Sequence, residues 1–316
     1  MRRLLLAALF AVLALPAAAQ DWPLRPVRLI VPFPPGGGTD VVSRIVAQQL
    51  GQAINQPVVV ENRGGAGGAI GSDAVAKAAP DGYTIGTATS STHPAAVVLR
   101  RDVPYDPVRD FAPITMIGVT PYVLVGGPAA RGATLREFLD DARSRPGQVT
   151  YASVGTSTLG YLLTRQLESL TGTRMTHVPY RGSAAVYPDL LNGTVAVLLD
   201  NPTGSAGLVR DGRLRAFAIT RRSPLLPEVP SFADAGVPGF EAVFWYGLVA
   251  PAGTPPAVVQ RIQSVLARHF LGPGRAELAA KDVEPVMDAP ADFARRIAAD
   301  VTAFRATAER LGLQPE

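Results

Sequence analysis

VRLIVPFPPGGGTDVVSRIVAQQL, residues 27–50, decides the fold. Residues 27–31 have the length and apolar content of a buried strand, and PFPPGGG at 32–38 is a proline–glycine turn. Thr39 and Asp40 then open an amphipathic helix in which Val41, Val42, Ile45, Val46 and Leu50 recur on one face. Three successive glycines before a helix N-terminus leave backbone N–H groups uncovered. First-turn amides lack intrahelical partners and the helix dipole is positive there, so the place suits an anion. An ordinary strand-to-helix turn has the same look, and only convergence with the rest of the chain separates the two.

The pattern repeats at once. A second strand at 58–61 leads into NRGGAGG (62–68), and a helix from about 70 to 79 stops at Pro80-Asp81-Gly82. A third strand at 83–88 runs into TSSTH (89–93). Strand, helix, strand, helix, strand describes a parallel α/β sheet with right-handed crossovers. Such sheets bind ligands outside the carboxyl ends of their strands, where these three small-residue loops fall.

Residues 114–125 form a long apolar extended segment, and 135–143 read as a helix with Thr134 as cap and Glu137 three residues on. After a strand at 149–152 the opening motif returns. SVGTST (153–158) precedes a helix with Leu159, Leu162, Leu163, Leu167 and Leu170 on one face. Another strand ends in HVPYRGS (177–183), before a helix through Leu190-Leu191 that Gly193 stops. A buried strand at 195–199 closes at Asp200-Asn201-Pro202, and 214–220 make one more. FWYGLVA (244–250) is a second long extended segment, followed by helices from Pro255 or Pro256 through Phe270 and from 291 to 311. Two α/β sheets, each with a glycine/hydroxyl turn above a helix N-terminus, predict two lobes across a cleft. The late return strand predicts a chain that passes to the second lobe near Tyr122, comes back near Tyr246, and hinges there.

Arg2 and Arg3, an apolar run at 4–15 and Ala17-Ala18-Ala19 have the form of an export leader, 1–19, cut near Ala19. That run is shorter than the roughly 20 residues a spanning helix needs, so no membrane insertion is expected. The chain has no cysteine, which excludes a lipid-anchored N-terminus, disulfides and thiolate sites. About 297 residues remain, enough for a core that is stable without cross-links. Removing Arg2 and Arg3 lowers the formal charge from +4 to +2, and no Lys/Arg block points to nucleic acid. His93, His177 and His269 lack ligand spacing, so neither a metal nor a cofactor is expected. Gly65-Ala66-Gly67 is followed by Ile70 where a dinucleotide fingerprint has its last glycine, and no P-loop or G-x-S-x-G occurs.

PFPPGGGTD (32–40), ENRGGAGGAIGSDAVAKAAPDGYT (61–84), YDPVRDFAPI (105–114), YASVGTSTLGYL (151–162), HVPYRGS, LLDN (198–201) and WYGLVAPAGTP (245–255) together resemble one family. It is the Bug-type, or TctC-like, extracytoplasmic solute receptors of tripartite tricarboxylate transporters. The resemblance runs in order through the whole chain after the leader. It implies a two-lobed α/β, type II periplasmic-binding-protein fold with two crossover strands forming a hinge. Lobe 1 would comprise 20–122 with 247–316, and lobe 2 residues 123–246. It further implies a small organic carboxylate enclosed between the lobes, held by backbone N–H groups and hydroxyls of the loops at 33–39 and 153–158, and a membrane permease as partner. Relative to the family, Gly64 replaces a common Pro, Ser157 a common Gly and Tyr161 a common His; the last two are expected beside the ligand.

The candidate ligand-binding residues are Phe33, Gly36, Gly37, Gly38 and Thr39 in the first loop, Ser90 and Ser91 in the third, and Ser153, Gly155, Thr156, Ser157 and Thr158 facing them. Arg181 and Asp200 are further candidates, Arg181 for a second carboxylate and Asp200 for an amino or hydroxyl group. Asp40 reads better as a stabiliser of its helix's first turn than as a ligand group. No catalytic residue is assigned. The expectation is a monomeric periplasmic receptor. An exported hydrolase using the same cleft, or a solute-sensing adaptor for a membrane histidine kinase, are the alternatives.

Overall fold

A computed structural model of the chain describes residues 22–315; the leader read at 1–19 lies outside the described residues. Strand β1 (Val27–Val31) lies between β2 (Val58–Asn62) and β3 (Thr84–Thr89), all parallel, with helices α1 (Gly38–Ile54) and α2 (Ala69–Ala76) in the crossovers. The core face of α1 follows its apolar spacing: Val42, Val46 and Leu50 are buried. After β3 a π-helical turn, Ser91–Ala95, continues into the single turn α3 (Ala96–Leu99), which the sequence pattern did not signal.

The segment expected as one extended stretch over 114–125 is two strands. β4 (Phe111–Pro121) belongs to the first sheet and β5 (Val123–Gly126) to the second, with Tyr122 between them. The second sheet adds β6 (Thr150–Ser153), β7 (Thr176–Pro179), β8 (Val197–Asp200) and β9 (Arg215–Ile219), in the order β7-β6-β8-β5-β9. Helix α4 (Leu135–Ser144) is capped as expected, the Thr134 hydroxyl accepting from Glu137 N at 3.2 Å. Helix α5 (Leu159–Thr171) buries Leu159, Leu162, Leu163 and Leu167, whereas Leu170, expected on that face, is 50% exposed. Helix α6 (Tyr187–Asn192) stops at Gly193, and α7 (Pro202–Arg210) starts where only a strand end was foreseen.

The chain returns as β10 (Val243–Pro251), which runs antiparallel between β3 and β4. The purely parallel first sheet expected from the strand–helix alternation is therefore a mixed one, ordered β11-β4-β10-β3-β1-β2, where β11 is Glu284–Pro285. The reason is topological: β4 leaves for the second sheet, β10 comes back beside it, and an outgoing and a returning strand must run opposite ways. β10 pairs with β4 from Val243 onward, so Tyr246 lies within the first sheet rather than at the passage. Helices α8 (Pro256–Phe270), α9 (Arg275–Ala279) and α10 (Pro290–Arg310) complete the fold on the first sheet's side, Phe293 of α10 packing edge-on against the buried Trp245 ring.

Candidate functional site

The carboxyl ends of the parallel strands in both sheets face one another across a cavity of about 110 Å³. Three helices begin on it. α1 contributes Gly37, Gly38 and Thr39, α5 its cap Thr158 and Gly160, and α7 its cap Asn201 and Gly204. Each N-terminus adds the positive end of a helix dipole, though Leu159 N of α5 is already bonded to Ser91 Oγ and Gly204 N of α7 to Asn201 O. The turn at 182–185 brings a further set of backbone groups, and Phe33, Tyr122, Leu198, Leu199 and Phe244 supply apolar walls. The volume exceeds what a single water needs, and the cavity is partly open to solvent.

Of the residues singled out from the sequence, Phe33, Gly37, Gly38, Thr39, Ser91, Ser153, Thr158, Arg181 and Asp200 line this cavity. Gly36, Ser90, Gly155, Thr156 and Ser157 do not. Gly36 N donates to Asp40 Oδ2 at 3.0 Å, and the Ser90 hydroxyl accepts from Trp245 N at 3.2 Å. Ser157 meets the opposite lobe instead: a Cβ on Gly67 would clash with its Oγ. Tyr161 does not line the cavity either; its ring packs 5.0 Å from that of His177. The family substitutions at 157 and 161 thus fall at the lobe–lobe rim and behind the wall.

Asp40 does the structural work expected of it. Its carboxylate accepts from Gly36 N, from Arg44 Nε at 2.9 Å and from Asn62 Nδ2 at 2.8 Å. Burial opposes the charge, but these hydrogen bonds outweigh it and hold the carboxyl below the usual range. The glycine turn is thereby tied to α1 and β2 before any ligand arrives.

Asp200 has the opposite balance. Burial pushes its carboxyl up to about 6, only partly offset by hydrogen bonds from the Tyr187 hydroxyl (2.7 Å to Oδ2), Asn201 N and Ser205. It therefore changes charge near neutral pH within the cavity wall. Ser153 Oγ stands 2.6 Å from His177 Nε2, a contact the scattered histidines gave no sign of, because β6 and β7 pair in parallel 24 residues apart. Among the described residues no group of three or more His, Asp or Glu is placed to hold a metal.

The lobes touch across the cavity. Leu159 N donates to Ser91 Oγ at 3.1 Å, Asn201 Nδ2 to Pro121 O at 3.0 Å and Thr203 Oγ1 to Lys281 O at 2.6 Å. Arg221 pairs with Glu284 at 2.7 Å. Tyr122, which bonds through both N and O to Thr220, is at once the passage between sheets and part of the wall. Tyr122, Phe244, Asn201 and the 182–185 turn were missed as site residues. Asn-Pro at 201–202 is a legible helix start, whereas the aromatic pair looks like any strand interior.

Comparison with known proteins agrees with this architecture. Residues 42–313 match the family described as tripartite tricarboxylate transporter family receptor, TctC. Protein BugT of Bordetella pertussis is 39% identical over 295 residues, 92% of this chain and 90% of that one. Among solved structures, Rpa4515 of R. palustris with adipate superposes with a TM-score of 0.90 at 34% identity, over 94% of this chain and 100% of that one. MatC (Rpa3494) from Rhodopseudomonas palustris with bound malate gives 0.85 at 30% identity, over 90% and 99%. No helix among the described residues is long and apolar enough to cross a membrane. The chain belongs to the TctC/Bug family of periplasmic solute-binding receptors.

Proposed function

We propose that this receptor captures a small organic carboxylate between its lobes and delivers it to the membrane permease of a tripartite tricarboxylate-type transporter. The observation that carries the reading is the convergence of three helix N-termini, α1, α5 and α7, on one cavity between the two sheets. Such ends stabilise negative charge through fixed neutral donors, and each charge-assisted hydrogen bond to a desolvated carboxylate contributes about 1.5–3 kcal/mol. The solved relatives with adipate and with malate support the same ligand class. The ligand contacts would come from the cavity-lining set Phe33, Gly37, Gly38, Thr39, Ser91, Ser153, Thr158, Arg181 and Asp200. Gly37, Gly38 and Thr39 would dock one carboxylate, and the lobes, pivoting at Tyr122 and just before β10 begins at Val243, would close on it. Lobe 1 would be 20–122 with 243–316 and lobe 2 residues 123–242, the return moved from 246 because β10 is paired in the first sheet from Val243. The protein would act as a monomer in the periplasm after removal of a leader at Ala19.

Thermal-shift screening against a carboxylate library that includes adipate and malate tests this, because a ligand bound only by the native state raises Tm by mass action. A rise with at least one carboxylate, and none with its amide, is the expected result; no response across the library removes the proposal. One observation favours a hydrolase, the Ser153–His177 pair at hydrogen-bond distance. Turnover in an ester and amide screen, abolished by Ser153→Ala, would decide for it.

A further inference from the structure

The contact between Ser153 and His177 bears on what the cavity accepts. Ser153 ends β6 on the cavity wall, and its hydroxyl has three neighbours: Gly155 N at 3.1 Å, Gly155 O at 3.2 Å and His177 Nε2 at 2.6 Å. A hydroxyl has one hydrogen to give and two lone pairs to receive. Gly155 N–H fills one lone pair, and the remaining choice belongs to the imidazole.

If Nε2 carries no hydrogen, Ser153 must give its only hydrogen to His177, and the cavity meets a bare lone pair that repels a carboxylate oxygen. If Nε2 carries the hydrogen, the imidazole donates into Oγ and the hydroxyl hydrogen is released toward Gly155 O or the cavity. Gly155 O is already well supplied, accepting from Thr158 Oγ1 at 2.8 Å and from Thr158 N at 3.3 Å. The hydroxyl hydrogen can therefore swing from that carbonyl to an anion at little cost.

We infer that His177 is a positioning residue that sets specificity: with its hydrogen on Nε2 it turns Ser153 into a donor aimed at an anionic oxygen. The ring is well held for this. It stands opposite Tyr151 in the β6–β7 register, with the Tyr151 and Tyr161 rings 4.9 and 5.0 Å away. The ligand group read by Ser153 is an acceptor only, a carboxylate rather than an amide nitrogen or an ammonium. This inference rests on the carboxylate reading: the contact at 2.6 Å accommodates the hydrogen on either atom, and a carboxylate at this wall requires it on Nε2.

Two measurements test it. Long-range ¹H–¹⁵N correlation spectra of the unliganded protein report directly which ring nitrogen bears hydrogen; a protonated Nε2 in His177 is expected, and a bare Nε2 overturns the inference whatever the ligand proves to be. Calorimetry with adipate and malate then compares variants. His177→Phe keeps an aromatic ring but removes the donor, and should weaken carboxylate binding about tenfold with Tm little changed. His177→Gln, which retains an N–H, should recover most of that loss, and in a Ser153→Ala background His177→Phe should have no further effect. Unchanged affinity in His177→Phe, or additive losses, would also overturn it. If the wild type binds neither acid nor any other carboxylate, the ligand reading fails, and the spectra still decide the hydrogen position.

Discussion

Leu159 and Ser91 are joined across the cleft: the first amide of α5 donates at 3.1 Å to a hydroxyl on the opposite lobe. Ser91 is buried and lines the cavity, so this bond exists only when the lobes are together. It uses one of the orphan amides that every helix start leaves unpaired.

Ser91→Ala should therefore shift the receptor toward an open form. A buried amide left without its acceptor costs about 1–3 kcal/mol, which predicts a ligand affinity lower by about 5- to 150-fold. Calorimetry would measure the affinity and small-angle scattering the accompanying expansion.

Gly37→Val should damage binding far more than folding. Gly37 has an extended backbone (φ −83°, ψ 167°) that valine tolerates, but it lines the cavity, and its Cβ would stand 3.2 Å from Ser183 Oγ. The expectation is a loss of affinity of more than tenfold with a Tm change of a few degrees at most. Parallel calorimetry and thermal melts would check it.

Gly67 lies against Ser157 of the opposite lobe with no room for a side chain. Its φ of +64° disfavours any side chain, and a Cβ would meet Ser157 Oγ. Gly67→Ala should weaken ligand binding, and adding Ser157→Gly should restore a large part of it, because the clash partner is gone. Affinities of the single and double variants read the coupling.

Asp200 gives stability a pH dependence of definite sign. Its folded pKa near 6 lies above the ordinary 3.8, so between about pH 4 and pH 6 the native state holds a proton that the unfolded chain has released. This group's contribution to stability thus falls as pH rises through that window and stays low above it. A shift of this size corresponds to on the order of 2–3 kcal/mol. Asp200→Asn should flatten that limb and be the more stable protein at pH 8, as urea midpoints from pH 4 to 8 would record.

Asp40 behaves the other way. Its depressed pKa makes the ionised form stabilising at neutral pH, and that contribution is lost as pH falls below about 4. Asp40→Ala, which removes acceptors for Gly36, Arg44 and Asn62, should destabilise the native state by about 2–3 kcal/mol at pH 7. The gap to wild type should narrow in acid, which the same urea series extended downward would show.

The stretch at 27–50 by itself determined a strand, a glycine turn and a helix whose N-terminus is open to an anion, because 3.6-residue spacing, glycine and missing amide partners are local properties. The repeat at 153–158 likewise made two facing lobes legible. Tertiary structure alone decided which groups share a wall. The side chains of Ser157 and Ser90 are chemically as suitable as those of Ser153 and Ser91, yet one faces Gly67 and the other the backbone of Trp245. Tyr122 and Phe244, apolar residues of ordinary strand appearance, became the wall because the passages between sheets run along the cleft. His177 reached Ser153 only through the register of β6 on β7, a pairing between distant segments that no local pattern encodes.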